Sequence, residues 1–176
     1  MNQLINDHLC ETRNNLVEEI KSLSDTQFNA KPDTNSWSIA QVCHHLVLVE
    51  ESSVKAIAWG LKQVDNKQTE RKNVQLIVDR TKKITAPKIV EPAEDFFTVQ
   101  QIIELLDDSR KKLTTFLDTI EDPSILVEKS VKHPAIGELP LDQWVEQIHF
   151  HEQRHIGQIK EIKDSSKLST NELPGD

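Results

Sequence analysis

The sequence predicts an all-α protein, a four-helix bundle with one long connection between its second and third helices. Three observations predict it. The composition suits helices, four stretches carry apolar residues at helical spacing, and between the second and third of these the pattern lapses for about thirty residues.

Of 176 residues, only four are glycine and none is tyrosine. That is too little turn and strand material for a sandwich or barrel, whereas Leu, Glu, Lys, Gln and Ile are plentiful. A chain of this length builds one well-buried core rather than two. The net charge of −8 is a poor match for a phosphate backbone, and no basic stripe interleaves with aromatics, which excludes nucleic acid as a partner. No apolar run approaches membrane-spanning length, so no membrane partner is expected. Residues 1–7 lack the basic and apolar regions of a signal peptide, so a cytoplasmic protein is expected.

The first helix is expected from Gln3 to Leu23, with Leu4, Leu9, Leu16, Ile20 and Leu23 as an apolar stripe that polar residues interrupt. Ser24 and Gln27 fit a capping box that restarts a short turn, closed by Pro32. The second helix starts at Ser38, paired with Gln41 in another box and preceded by Trp37 as a packing anchor. Ile39, Val42, Cys43, Leu46, Val49, Val54, Ile57 and Leu61 carry it to about Lys62.

From Val64 to Phe97 the pattern weakens: residues 66–73 are a polar run, and Pro87 and Pro92 break the later part of the segment. A connection this long reads either as a lid over a site or as a passive crossover. Thr98 and Gln101 cap the third helix, whose stripe is Ile102, Leu105, Leu106, Leu113, Leu117 and Ile120, stopped by Asp122 and Pro123. Residues 124–140 read as irregular, turning at His133-Pro134.

The fourth helix is expected from Pro140, a favourable first-turn residue, to about Ile162. Trp144, Ile148, His155, Ile159 and Ile162 share one face, with His151 at its border and His149 pointing away as a flank residue. The expected organisation is a bundle domain over 1–163 and a loose polar tail over 164–176. Cys10 and Cys43 both fall inside helices and read as buried free thiols.

Chemistry is suggested by the histidines. His151 and His155 stand four apart on one helix, so their imidazoles can converge, and two converging imidazoles are most of a divalent metal site. The second helix offers His44 or His45 as a third ligand. His45 groups with Val42 and Val49, His44 with Leu48, and periodicity does not choose between them. The plainer reading of each histidine is an ordinary hydrogen bond or a solvated flank position.

Several short motifs, taken in order, resemble the DinB/YfiT-like superfamily of four-helix bundles associated with metal-dependent chemistry. They are Trp37-Ser38 followed by His45-Leu46; the run from His133-Pro134 through Gly137 to Trp144; and His151-Glu152-Gln153-Arg154-His155 followed by Gln158. The resemblance extends from the first helix to about Ile162. It implies that His45, His151 and His155 bind a divalent transition metal, with zinc or nickel expected. His133 is expected to serve the turn rather than the metal. Ile136 stands where relatives often carry an aromatic, and residues 64–97 match no part of the family pattern.

Three neutral imidazoles would leave positions open for water or substrate, and each needs an orienting partner, for which Glu50, Gln147, Glu152 and Gln158 are candidates. The family resemblance implies thiol transfer to electrophiles, thiol-dependent isomerisation or metal-dependent hydrolysis. The expected function is a metal-dependent thiol S-transferase or hydrolase acting on a small molecule, with a low-molecular-weight thiol as a candidate partner. A homodimer through the bundle faces is compatible with this fold. The alternative is a non-catalytic bundle with a structural or vestigial metal site.

Overall fold

The computed structural model describes residues 3–64, 68–81 and 84–170, with side chains placed from 5 to 165 outside the gaps. Leu4's side chain, residues 66–67 of the polar run and the end of the expected tail (171–176) lie outside the described residues. The helices are α1 (Gln3–Ile20), α2 (Asp25–Asn29), α3 (Ile39–Lys62), α4 (Val99–Asp118), α5 (Ile125–Glu128) and α6 (Leu141–Thr170), with strands β1 (Ser130–His133) and β2 (Gly137–Pro140) before α6. The connection between α3 and α4 carries two 3₁₀ turns, Val74–Val78 and Lys88–Val90. The long helices α1, α3, α4 and α6 form the bundle.

The helix starts follow from the capping residues. Ser24, Ser38 and Thr98 each accept from the backbone N–H three residues on, and Gln27, Gln41 and Gln101 reciprocate, so two otherwise orphaned donors are satisfied at each start. α1 ends at Ile20 rather than Leu23, because the Ser24 box begins a new helix that buries Phe28.

Helix direction explains the long connection. One apolar cluster joins Leu16 and Ile20 of α1, Ile39 to Val47 of α3, Ile102 and Leu106 of α4, and Ile156, Ile159 and Ile162 of α6. The other joins Leu9, Ile57, Leu113, Leu117, Trp144, Val145 and Ile148. α3 and α4 therefore run parallel to each other, as do α1 and α6, with the two pairs antiparallel. Parallel neighbours cannot be joined by a tight turn, so the chain must travel back along the bundle between them.

A buried charge layer separates the two clusters, with one or more residues from every long helix. Arg13 Nε and Nη2 donate to Glu152 Oε1 (2.7 Å) and Glu50 Oε2 (2.9 Å). Arg110 Nε and Nη2 donate to Glu50 Oε1 (2.5 Å) and Glu152 Oε2 (3.2 Å). Thr12 Oγ1 donates to Glu152 Oε2 and Ser109 Oγ to Glu50 Oε2. The arginines also bridge α1 and α4, Arg13 to the Leu106 carbonyl and Arg110 to that of Leu9.

Several expectations are corrected. Residues 130–140 form an antiparallel hairpin, pairing Val131 with Leu139 and His133 with Gly137. Gly137 turns it at φ +86°, where a side chain would be strained. Gly60 admits the hairpin against α3: a Cβ there would lie 2.6 Å from Val131 Cγ2. α6 continues past Ile162 into the stretch read as tail, and Lys163 ties it to α1 by donating to the carbonyl and carboxylate of Glu19. Cys43 is buried but Cys10 is exposed, and Leu105 faces outward from α4. Among the described residues, no helix is long and apolar enough to cross a membrane.

Candidate metal centre

His45 sits in the second turn of α3, while His151 and His155 occupy successive turns of the antiparallel α6 that faces it. Their ligand nitrogens all lie within 4.8 Å of one another. His151 Nε2 and His155 Nε2 are 3.2 Å apart, close to the separation of about 3.4 Å for two imidazoles on one tetrahedral ion. The ring centroids are 4.5 to 5.2 Å apart. Among the described residues, no fourth His, Cys, Asp or Glu joins the group.

Two of the three rings are oriented from behind. His45 Nδ1 donates to the Val90 carbonyl at 2.6 Å, and His155 Nδ1 donates to Gln158 Oε1 at 2.8 Å. A proton fixed on Nδ1 leaves Nε2 as a bare lone pair turned toward the other rings. Burial disfavours the charged imidazoles: it is the main cause lowering the pKa of His45, of His151 and of His155, the last to about 3. Repulsion from the neighbouring rings adds to this for His151 and His155. At neutral pH the cluster is three uncharged donors aimed at one place, a set whose chemistry fits a divalent cation.

The connection helps to build this site. Its 3₁₀ turn at Lys88–Val90 presents the Val90 carbonyl to His45, and Trp37 packs its ring 5.1 Å from His45 on another side. His44, the alternative ligand, instead accepts from the Ala93 N–H at 3.1 Å and packs against Phe97. It anchors the connection and stays out of the cluster. Further back, Arg154 donates to the carbonyls of Ile77 and Asp79, while Arg80 pairs with Glu161. These bonds hold the connection along α6.

Of the orienting candidates, only Gln158 hydrogen-bonds a histidine of the cluster. Glu50 and Glu152 belong to the charge layer, and Gln147 bonds Ser53 and the Trp144 carbonyl. His149 is buried, contrary to its reading as a flank residue, with its ring 4.9 Å from that of His8. His133 lies in the hairpin, its ring 4.7 Å from Trp144. The Val90 carbonyl could not be read from the sequence, because a main-chain oxygen carries no residue signature.

A parallel-paired helical bundle that converges three neutral histidines between two helices defines a class of protein, and comparison with known proteins gives the family. Residues 8–159 match the DinB superfamily, and the chain belongs to it. It is 35% identical to the uncharacterized protein YuaE of Bacillus subtilis (strain 168) over 154 residues, covering 88% of this chain and 94% of that one. The fold is similar to that of YfiT from Bacillus subtilis, described as a probable metal-dependent hydrolase with an unusual four-helix bundle topology. That match has a TM-score of 0.62 at 16% identity and covers 95% of this chain and 90% of YfiT. The four-helix bundle protein TT2238 is similar too, at a TM-score of 0.61 and 17% identity, covering 89% of this chain and 96% of that one.

Proposed function

We propose that the chain is a metal-dependent enzyme acting on a small molecule, a hydrolase or a thiol S-transferase, with His45, His151 and His155 holding a divalent transition metal through Nε2. The observation that carries this reading is the convergence of the three lone-pair nitrogens without a fourth protein ligand among the described residues. Structural metal sites close their shell with four protein ligands, whereas catalytic ones keep a position free. A divalent ion held by neutral imidazoles keeps its full positive charge and stabilises the deprotonated form of a water or thiol beside it.

The protein's own groups prepare that position. Val90 and Gln158 fix the tautomers of His45 and His155. Burial keeps the rings uncharged at neutral pH. Zinc and nickel are the metals we expect. The similarity to YfiT supports the hydrolytic reading by analogy alone. A thiol nucleophile would fit the same site, because deprotonation is what activates it.

The test is metal content and turnover together. Elemental analysis should find about one transition metal per chain, lost in His151→Ala. Metal-loaded protein, offered esters, amides and pairs of a small thiol with an electrophile, should turn over at least one class, and His151→Ala none. Absence of metal uptake from zinc and nickel solutions, or absence of any His151-dependent turnover, refutes the proposal.

A further inference from the structure

We propose that His133 is a substrate-binding residue, donating a hydrogen bond from Nε2 to a carboxylate or carbonyl oxygen of a small molecule seated at the open side of the histidine triad. The inference rests on the metal-enzyme reading above and adds to it the chemistry of the ligand's far end.

Position is the first ground. Trp144, Ile148, His151 and His155 follow one another at helical spacing along one strip of α6. The His133 ring packs against Trp144 at 4.7 Å, and Trp144 precedes His151 by two turns, a rise of about 10 Å. The hairpin therefore hangs His133 over the strip that leads to the triad. His151 is the half-buried member of the triad, while His45 and His155 are buried, so His151 marks the edge that a ligand can reach.

Tautomer is the second ground. The Ala135 N–H donates to His133 Nδ1 at 3.2 Å, which leaves the proton on Nε2. That N–H has no hydrogen-bond partner among the described residues. Burial lowers the pKa of His133 to about 4, so at neutral pH the ring is an uncharged donor. A purely structural His133 would need only its contacts with the turn amide and Trp144. Neither uses Nε2.

The test uses Co(II)-loaded protein titrated with ethanethiol and with mercaptocarboxylates of increasing chain length, read by the thiolate charge-transfer absorption. His133→Phe keeps the ring against Trp144 and removes the donor, and the exposed Ala135 amide can turn to water. His133→Gln restores an N–H at the same reach. In the wild type, one chain length should bind about tenfold more tightly than ethanethiol, the worth of a hydrogen bond to a charged group. His133→Phe should lose that preference with cobalt affinity and thermal stability unchanged, and His133→Gln should recover it. Equal binding of all thiols by the wild type overturns the role of His133 alone, as does a preference that survives in His133→Phe or a loss of cobalt affinity in that variant. Failure of the wild type to bind cobalt overturns the metal-enzyme reading and this inference with it, whereas failure of the cobalt-loaded wild type to bind any thiol overturns this inference and leaves the hydrolytic reading standing.

Discussion

Replacing Arg13 with Met should destabilise the protein by about 3–5 kcal/mol, the cost of removing one partner from a buried ion pair. The Arg13 side chain is 8% exposed, and its partners Glu50 and Glu152 are 1% and 2% exposed. Met fills most of the aliphatic volume, so the loss is electrostatic: two buried carboxylates are left to share Arg110. For a chain of this size, the melting temperature should fall by roughly 6–20 °C.

The pH dependence makes the prediction sharper. Burial works against ionisation of Glu50, and Arg13 and Arg110 more than reverse it, so its pKa lies below the ordinary carboxylate value. A depressed carboxylate contributes stability that is present above its unfolded pKa and lost as pH falls through the folded one. Without Arg13 the balance turns: burial dominates, the folded pKa of Glu50 rises, and acidification relieves the variant. Its deficit relative to wild type should therefore be largest near pH 7.5 and smaller near pH 5. Adding Glu152→Gln to Arg13→Met should recover about half the loss, because Glu50 and Arg110 then remain as a matched pair. Thermal unfolding followed by circular dichroism, on metal-free protein throughout, measures all three. A loss below about 1 kcal/mol, a deficit that grows on acidification, or a second substitution that simply adds to the first would refute the reasoning.

Two further outcomes are expected. Gln158→Leu removes the acceptor behind His155 and should weaken metal binding by about 10- to 100-fold with the fold intact, measurable by competition with a chromophoric chelator. His155 is held uncharged down to about pH 3, so its folded pKa lies below its unfolded one. The unfolded chain then binds the extra proton between pH 6.5 and 3, and the metal-free protein should lose stability as pH falls through that window. Denaturant midpoints at pH 7.5, 6 and 4.5, in wild type and in His155→Phe, should show a shallower decline in the variant.

Much of the fold was legible because its signals are local. Three reciprocal Ser/Thr–Gln boxes named the starts of α2, α3 and α4, and helical spacing named their buried faces. The hairpin was missed because each strand has four residues, too few for alternation to declare itself, and residues 163–170, over which α6 runs on, carry a single large apolar residue, Leu168, and so no stripe. Spacing alone brought His151 and His155 together. His45 was separated from His44 only by family resemblance, since the difference between them lies in which backbone atom of a distant connection each ring meets. The charge layer left only scattered traces: Thr12 and Arg13 interrupt the stripe of α1, Ser109 falls between the apolar residues of α4, and Glu50 and Glu152 read as candidate partners of the histidines rather than of the arginines. A polar residue at the centre of an otherwise apolar stripe signals a partner elsewhere, and sequence order does not say which.

That layer also has a consequence for which arrangement of helices the chain can adopt. Stripes of Leu and Ile are nearly interchangeable, and two such helices can slip past each other by one turn, about 5.4 Å, and still bury much of their oil. Here such a stagger of α3 would carry Glu50 into an apolar cluster and away from both arginines. The same slip would draw His45 out of line with His151 and His155. The charges thus act as an alignment mark for the helices, and the histidines are read off at the position where the mark agrees.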